Sequence, residues 1–167
     1  MHKEFALRFG PAQIHPAFNN VEGFPEICIL ENSEAKPSKI EKWHTDMTFS
    51  ATPPLGSILH SKHIPPIGGD TLFSSMSAAY EALSDKMQSF LSSLTAIHDF
   101  RHGFKESLAE PGGPERLAGA IAANPPVAHP VVRTHPISGK KGIFVNSLFT
   151  THIVGFSFFI CHHSFRS

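Results

Sequence analysis

A mainly β fold with a helical insertion, of the antiparallel barrel or jelly-roll kind, is what this sequence predicts, and three observations carry the prediction. Its apolar runs are short and lie between Pro and Gly clusters. The clearest 3.6-residue periodicity is confined to the middle of the chain, and strands do not alternate with helices as a βαβ wind requires. The 167 residues amount to about one domain, and a domain of that size buries roughly 70% of the surface its unfolded chain exposes.

Taken in order, Glu26–Leu30 (EICIL) is an apolar burst followed by a polar loop, 31–42, and so reads as a strand. Three more strand candidates follow: Trp43–Phe49 (WHTDMTF), Ser57–His63 after Pro53-Pro54, and Asp70–Phe73 after Gly68-Gly69. In Ser84–Leu94 the residues Met87, Phe90, Leu91 and Leu94 recur at helical spacing, with Ser84 as N-cap and Asp85 in the first turn. That face is expected to pack. Thr95–Arg101 returns to an extended pattern, and Pro114–Ala123 reads as a second helix opened by its proline. Val127–Thr134 and Gly142–Asn146 flank Ser138-Gly139, a hairpin signal. The final residues, 156–167, lack amphipathic period, cap or turn logic and are expected to be a separate tail.

Fourteen basic and fourteen acidic side chains cancel. The charge balance therefore argues against nucleic acid or acidic lipid as partner and favours a small molecule, with self-association as a further option. Two cysteines, Cys28 and Cys161, do not make a disulfide framework, and Lys3 and Arg8 interrupt the N-terminal apolar residues, so a reduced, cytoplasmic setting is expected. The most hydrophobic piece, Val154–Cys161, is far shorter than the ~20 residues of a membrane span. Twelve histidines invite a metal hypothesis, and fifteen phenylalanines against one Trp and one Tyr suggest an aromatic core or pocket.

WHTDMTF places a histidine and an aspartate two apart. On a strand, His44 and Asp46 would project from one face, with Trp43, Thr45 and Met47 on the other. One imidazole and one carboxylate are two-thirds of a facial triad, the donor set that suits non-haem Fe(II). Alone, the H-x-D spacing is a weak signal. A zinc site is disfavoured by the lack of a C-x-x-C or paired cysteine–histidine pattern.

The surrounding run, WHTDMTFSATPPLGSILHSKHIPPIGGDTLFSSMSAAYEALS, resembles the iron-ligand segment of the TauD/TfdA family, the taurine-dioxygenase-like Fe(II)- and 2-oxoglutarate-dependent dioxygenases. So do ALRFGPAQIHP, AIHDFRHGF and NPPVAHPVVRTHPISGKKGIFVNSLFTTHIV, in the family's order. The resemblance covers almost all of residues 4–154, makes 1–155 a partial catalytic domain, and implies part of a double-stranded β-helix that uses Fe(II), 2-oxoglutarate and O₂ to hydroxylate a small anion, an alkylsulfonate such as taurine or a related sulfate ester or carboxylate. It implies His44 and Asp46 as the first two iron ligands and Thr71 as the hydroxyl that bonds 2-oxoglutarate, presented by the Gly68-Gly69 turn. It further implies His15 as a contact to the substrate anion, Phe104 and Phe149 as aromatic walls, and Phe18 and Gly103 as substrate-site positions.

Three positions depart from the taurine enzymes. Phe18 replaces a tyrosine and loses a hydroxyl donor; Ile40 replaces an asparagine that meets an amine; Gly103 replaces a serine but keeps its backbone N–H. The resemblance stops near Gly155, ahead of the distal histidine and the arginines that complete the family's site. The chain is accordingly expected to be a fragment without them, inactive and poorly soluble in isolation, with His162 and His163 as poor substitutes and His60, His63, His98, His102, His129, His135 and His152 as ordinary polar residues. The competing expectation is a non-catalytic protein that binds a small anion or a full-length paralogue through an open sheet edge.

Overall fold

The computed structural model describes residues 2–33 and 42–156. These fall into two compact units, one of Met1–Glu41 with Pro54–Asp70, the other of Lys42–Pro53 with Thr71–Ser167.

In the first unit, helix α1 (His2–Ala6) runs into a 3₁₀ turn, Leu7–Phe9, and strands β1 (Asn20–Val21) and β2 (Phe24–Cys28) form an antiparallel hairpin. Gly23 turns that hairpin at φ 77°. Lys3 Nζ reaches Glu26 Oε1 at 2.6 Å and joins the helix to β2. The EICIL strand thus exists, shifted by two residues. Ser57–His63 is not a strand. An extended apolar run becomes a strand only when a neighbouring edge takes its N–H and C=O groups, and among the described residues none lies beside it.

The second unit holds α2 (Met76–Glu81), α3 (Asp85–Ser92), β3 (Thr95–His98), α4 (Phe100–Gly103), α5 (Lys105–Ala109), α6 (Gly113–Ala123), β4 (Val127–Pro130), β5 (Val132–Thr134), β6 (Lys141–Ile143) and β7 (Thr150–Ile153). Helix therefore occupies more of the chain than a single insertion. Ser75 Oγ accepts the Ala78 N–H at 3.1 Å and Ser84 Oγ the Met87 N–H at 3.4 Å, capping α2 and α3. Of the expected packing face of α3, Leu91 and Leu94 are half-buried while Met87 and Phe90 stay exposed. Gly112, at φ 73°, precedes α6, whose Leu117 and Ala120 are buried.

Three strands pair antiparallel in the order β4-β3-β7, and β5 pairs with β6 across the Gly139 turn. The single extended run read at Val127–Thr134 is split. At Val131 the backbone N–H donates to Leu94 O at 3.0 Å and the C=O accepts from Phe144 N at 2.7 Å, so the chain leaves one sheet and enters another. Asp70–Phe73 is an extended lead into α2 rather than a strand, and Trp43–Phe49 is a loop ending in a turn. Its reversal lies at Met47, with φ 52°, closed by Ser50 N to Met47 O at 3.0 Å.

The core is aromatic. Phe49 and Phe100 are 1% and 0% exposed, with ring centroids 5.1 Å apart at 84°, and Phe104 and Phe149 complete the cluster. Each buried ring contributes about 1.5–3 kcal/mol relative to exposure.

Candidate functional site

The loop Lys42–Phe49 brings two of the expected site residues together without a strand. His44 Nδ1 lies 2.7 Å from the Lys42 carbonyl, which accepts its proton and leaves Nε2 as the nitrogen that faces Asp46. Nε2 stands 3.2 Å from Asp46 Oδ1. The carboxylate beside it raises the imidazole above its ordinary value, against the opposing effect of desolvation. Same-face projection from a strand is therefore corrected. The two side chains converge on an irregular loop just ahead of the turn that Ser50 N closes on Met47 O.

These two groups fit Fe(II) as a partial donor set. Adjacent donors around an octahedral ion with bonds near 2.1 Å stand about 3 Å apart, close to the separation observed. An imidazole and a carboxylate are the donor types such an ion takes. Among the described residues, no cluster of three or more His, Cys, Asp or Glu side chains could hold a metal.

Thr71 is exposed on the segment leading into α2, and Gly68 and Gly69 precede it at φ 79° and 75°, the left-handed backbone that the GGDT turn requires. Gly103 ends α4 and Phe104 links it to α5, while Phe149 lies in the turn before β7. The Phe149 C=O accepts the Asp99 N–H at 2.9 Å and its own N–H donates to Asn146 Oδ1 at 2.9 Å. His15 and Phe18 belong to the other unit, where their rings stack at 4.2 Å and His15 Nδ1 accepts the Ala17 N–H at 3.2 Å. Ile40, His162 and His163 lie outside the described residues.

Sequence reasoning missed a buried polar group behind the His44–Asp46 loop. Thr48 and His98 are 0% exposed, and Thr48 Oγ1 lies 3.0 Å from His98 Nδ1 and accepts Asn146 Nδ2–H at 3.1 Å. His129, on β4, bonds Ser50 O through Nε2 at 2.9 Å. Both histidines are buried more fully than the partly buried or exposed polar residues expected, and burial, then the neighbouring His129 and Arg133, push the His98 ring down to about 4. A signal was available, since alternation along AIHD puts His98 on the face of Ala96, which is also fully buried. His60, His63, His135 and His152 are exposed as expected.

Known proteins share this chain's sequence and fold. It is 34% identical over 158 residues to an alkylsulfatase of Acinetobacter baylyi, covering 93% of this chain and 49% of that one. It is 30% identical over 164 residues to an alpha-ketoglutarate-dependent sulfate ester dioxygenase of Pseudomonas putida, covering 96% of this chain and 54% of the relative. A crystal structure of a taurine dioxygenase from Burkholderia xenovorans superposes with a TM-score of 0.69 at 34% identity, over 93% of this chain and 48% of that one. This chain thus spans about half the length of these relatives. The profile of the taurine catabolism dioxygenase TauD, TfdA family matches residues 1–158, and the chain belongs to that family.

Proposed function

We propose that residues 1–155 are part of the double-stranded β-helix of an Fe(II)- and 2-oxoglutarate-dependent dioxygenase that hydroxylates a small organic anion, an alkylsulfonate, sulfate ester or carboxylate. The observation that carries this reading is the convergence of His44 Nε2 and Asp46 Oδ1 at 3.2 Å, with the other ring nitrogen engaged by a backbone carbonyl. Relatives named for sulfate esters and sulfonates support the substrate class.

In this reading His44 and Asp46 hold the iron, which with 2-oxoglutarate and O₂ supplies the oxidising chemistry. The Thr71 hydroxyl bonds the keto acid. By the family resemblance, His15 and Phe18 stand at substrate-binding positions, His15 with a ring N–H for an anion, and Phe104 and Phe149 stand at apolar substrate-site positions. The Gly103 backbone N–H is a further anion donor. Phe18 supplies no hydroxyl at its position, so an apolar chain suits the site better than a polar one. The partner is a small anion and the setting cytoplasmic.

A second reading, a non-catalytic anion binder, is favoured by one observation: no third donor groups with His44 and Asp46 among the described residues. Titrating the purified chain with Fe(II) under anaerobic conditions, with and without 2-oxoglutarate, tests the donor pair. His44→Ala and Asp46→Ala should each weaken binding at least tenfold, and wild-type isotherms from both variants would defeat the iron site. Release of succinate from 2-oxoglutarate separates enzyme from binder.

A further inference from the structure

Metal ligands must be held to within about half an ångström to be useful, yet His44 and Asp46 sit on a loop with no ladder hydrogen bonds, and both residues are exposed. What holds that loop lies immediately after it. Thr48 and Phe49 turn inward at 0% and 1% exposure, each into a different cluster.

Phe49 enters the aromatic cluster, against Phe100 at 5.1 Å and Phe149 at 4.9 Å. Thr48 enters a polar one. Its hydroxyl oxygen is 3.0 Å from His98 Nδ1 on β3 and takes the Asn146 amide N–H at 3.1 Å. Asn146 is fixed in turn, since its Oδ1 accepts the N–H groups of Leu148 and Phe149 at 3.1 and 2.9 Å. Two residues beyond Thr48, the Ser50 carbonyl is bonded by His129 Nε2 at 2.9 Å. Thr48 and Ser50, which follow the two candidate ligands in the chain, are therefore tied to the β4-β3-β7 sheet and the turn before β7.

His98 is an uneconomical residue for packing alone. Its Nε2 is buried with no hydrogen-bond partner among the described residues, a condition that destabilises the fold and that an apolar side chain would avoid.

We propose that His98 and Asn146 are positioning residues for the iron ligands: by gripping the Thr48 hydroxyl, two residues beyond Asp46, they anchor the end of the loop that carries both ligands and so hold the separation of His44 and Asp46. The proposal rests on the iron reading for its purpose, although the grip itself is a property of the loop alone. His98 acts through its Nδ1 edge.

Amide hydrogen exchange over residues 43–50, followed by mass spectrometry on the purified metal-free chain, tests the grip. The amide of an asparagine overlays the Nδ1 edge of histidine and that of a glutamine the Nε2 edge. His98→Asn should therefore exchange within twofold of wild type, and His98→Gln should exchange at least tenfold faster in this segment. Thr48→Ser should behave as wild type and Thr48→Val as His98→Gln, a pair that changes side-chain volume little. Affinity for Fe(II), measured anaerobically, should drop at least tenfold in the two loosened variants and stay within threefold in the two rescued ones. Equal exchange in His98→Asn and His98→Gln, or unchanged exchange in Thr48→Val, would overturn the grip. A loss of Fe(II) affinity that tracks melting temperature across all four variants would overturn the positioning role. Failure of the iron reading has its own signature, wild-type Fe(II) affinity no greater than that of His44→Ala, and leaves the exchange result independent of metal.

Discussion

The ring of Phe149 occupies the space that a β-carbon on Gly103 would need: an added methyl would overlap Cδ1 and Cε1 of that ring. Gly103 ends a helix with ordinary negative φ, so the overlap, and not backbone strain, keeps this position glycine. The serine of the taurine enzymes does not fit here with Phe149 where it lies.

From that relationship a prediction about Gly103→Ala follows. Alanine in a helix is ordinarily worth about 0.5–1 kcal/mol over glycine, whereas overpacking costs about 1–3 kcal/mol. The second effect wins, and net destabilisation is expected by urea unfolding. In the Phe149→Ala background the sign should reverse, because the obstructing ring is gone. A Gly103→Ala chain as stable as wild type would show that Phe149 moves aside at little cost.

The His98 ring should make the fold acid-sensitive. Its value of about 4 lies below the ordinary 6.5 because burial, His129 and Arg133 all oppose charging it. Between those values the unfolded chain binds the proton and the folded chain does not, so stability falls as pH drops below about 6.5 and the loss from this ring levels off below about 4. The ring accounts for at most about 3.4 kcal/mol, and His129, also depressed by burial, acts in the same direction. Unfolding measured across that range should show a smaller loss in His98→Asn than in wild type. Parallel curves would rule the ring out as the cause.

Phe49 and Phe73 test where the aromatic content matters. Phe49 is 1% exposed among Phe100, Phe104 and Phe149, and Phe73 is 85% exposed. Phe49→Ala should cost about 3–5 kcal/mol, and Phe73→Ala should stay within about 0.5 kcal/mol. Urea midpoints of the two variants measure the contrast directly; a Phe73→Ala loss comparable to Phe49→Ala would mean that exposed aromatic surface is used in the native state.

Thr71→Val bears on the co-substrate. If its hydroxyl bonds 2-oxoglutarate, removing it at nearly constant volume should weaken keto-acid binding about tenfold, the equivalent of ~1.4 kcal/mol. Calorimetric titration with 2-oxoglutarate in the presence of Fe(II) reads this. Indistinguishable isotherms would remove Thr71 from the site.

Much of the molecule was legible along the chain because its causes are local. The cap at Ser84, the proline opening α6 and the Gly139 turn between β5 and β6 depend on a few adjacent residues, and each was found close to its expected place. The family could be read as well, since WHTDMTF, GGDT and the long run ending in FTTHIV keep their residues and order. Trp43–Phe49 was read as a strand because apolar and β-branched residues satisfy the pattern of one, but a strand also needs an edge to pair with, and that is a property of distant chain. Only the tertiary structure decided that His44 meets Asp46 on a loop and not on a strand face, that His98 is buried against Thr48 fifty positions away, and that Phe149 excludes a side chain at Gly103. Donor types are written in the residues themselves; the distances between them are set by packing, which no local pattern contains.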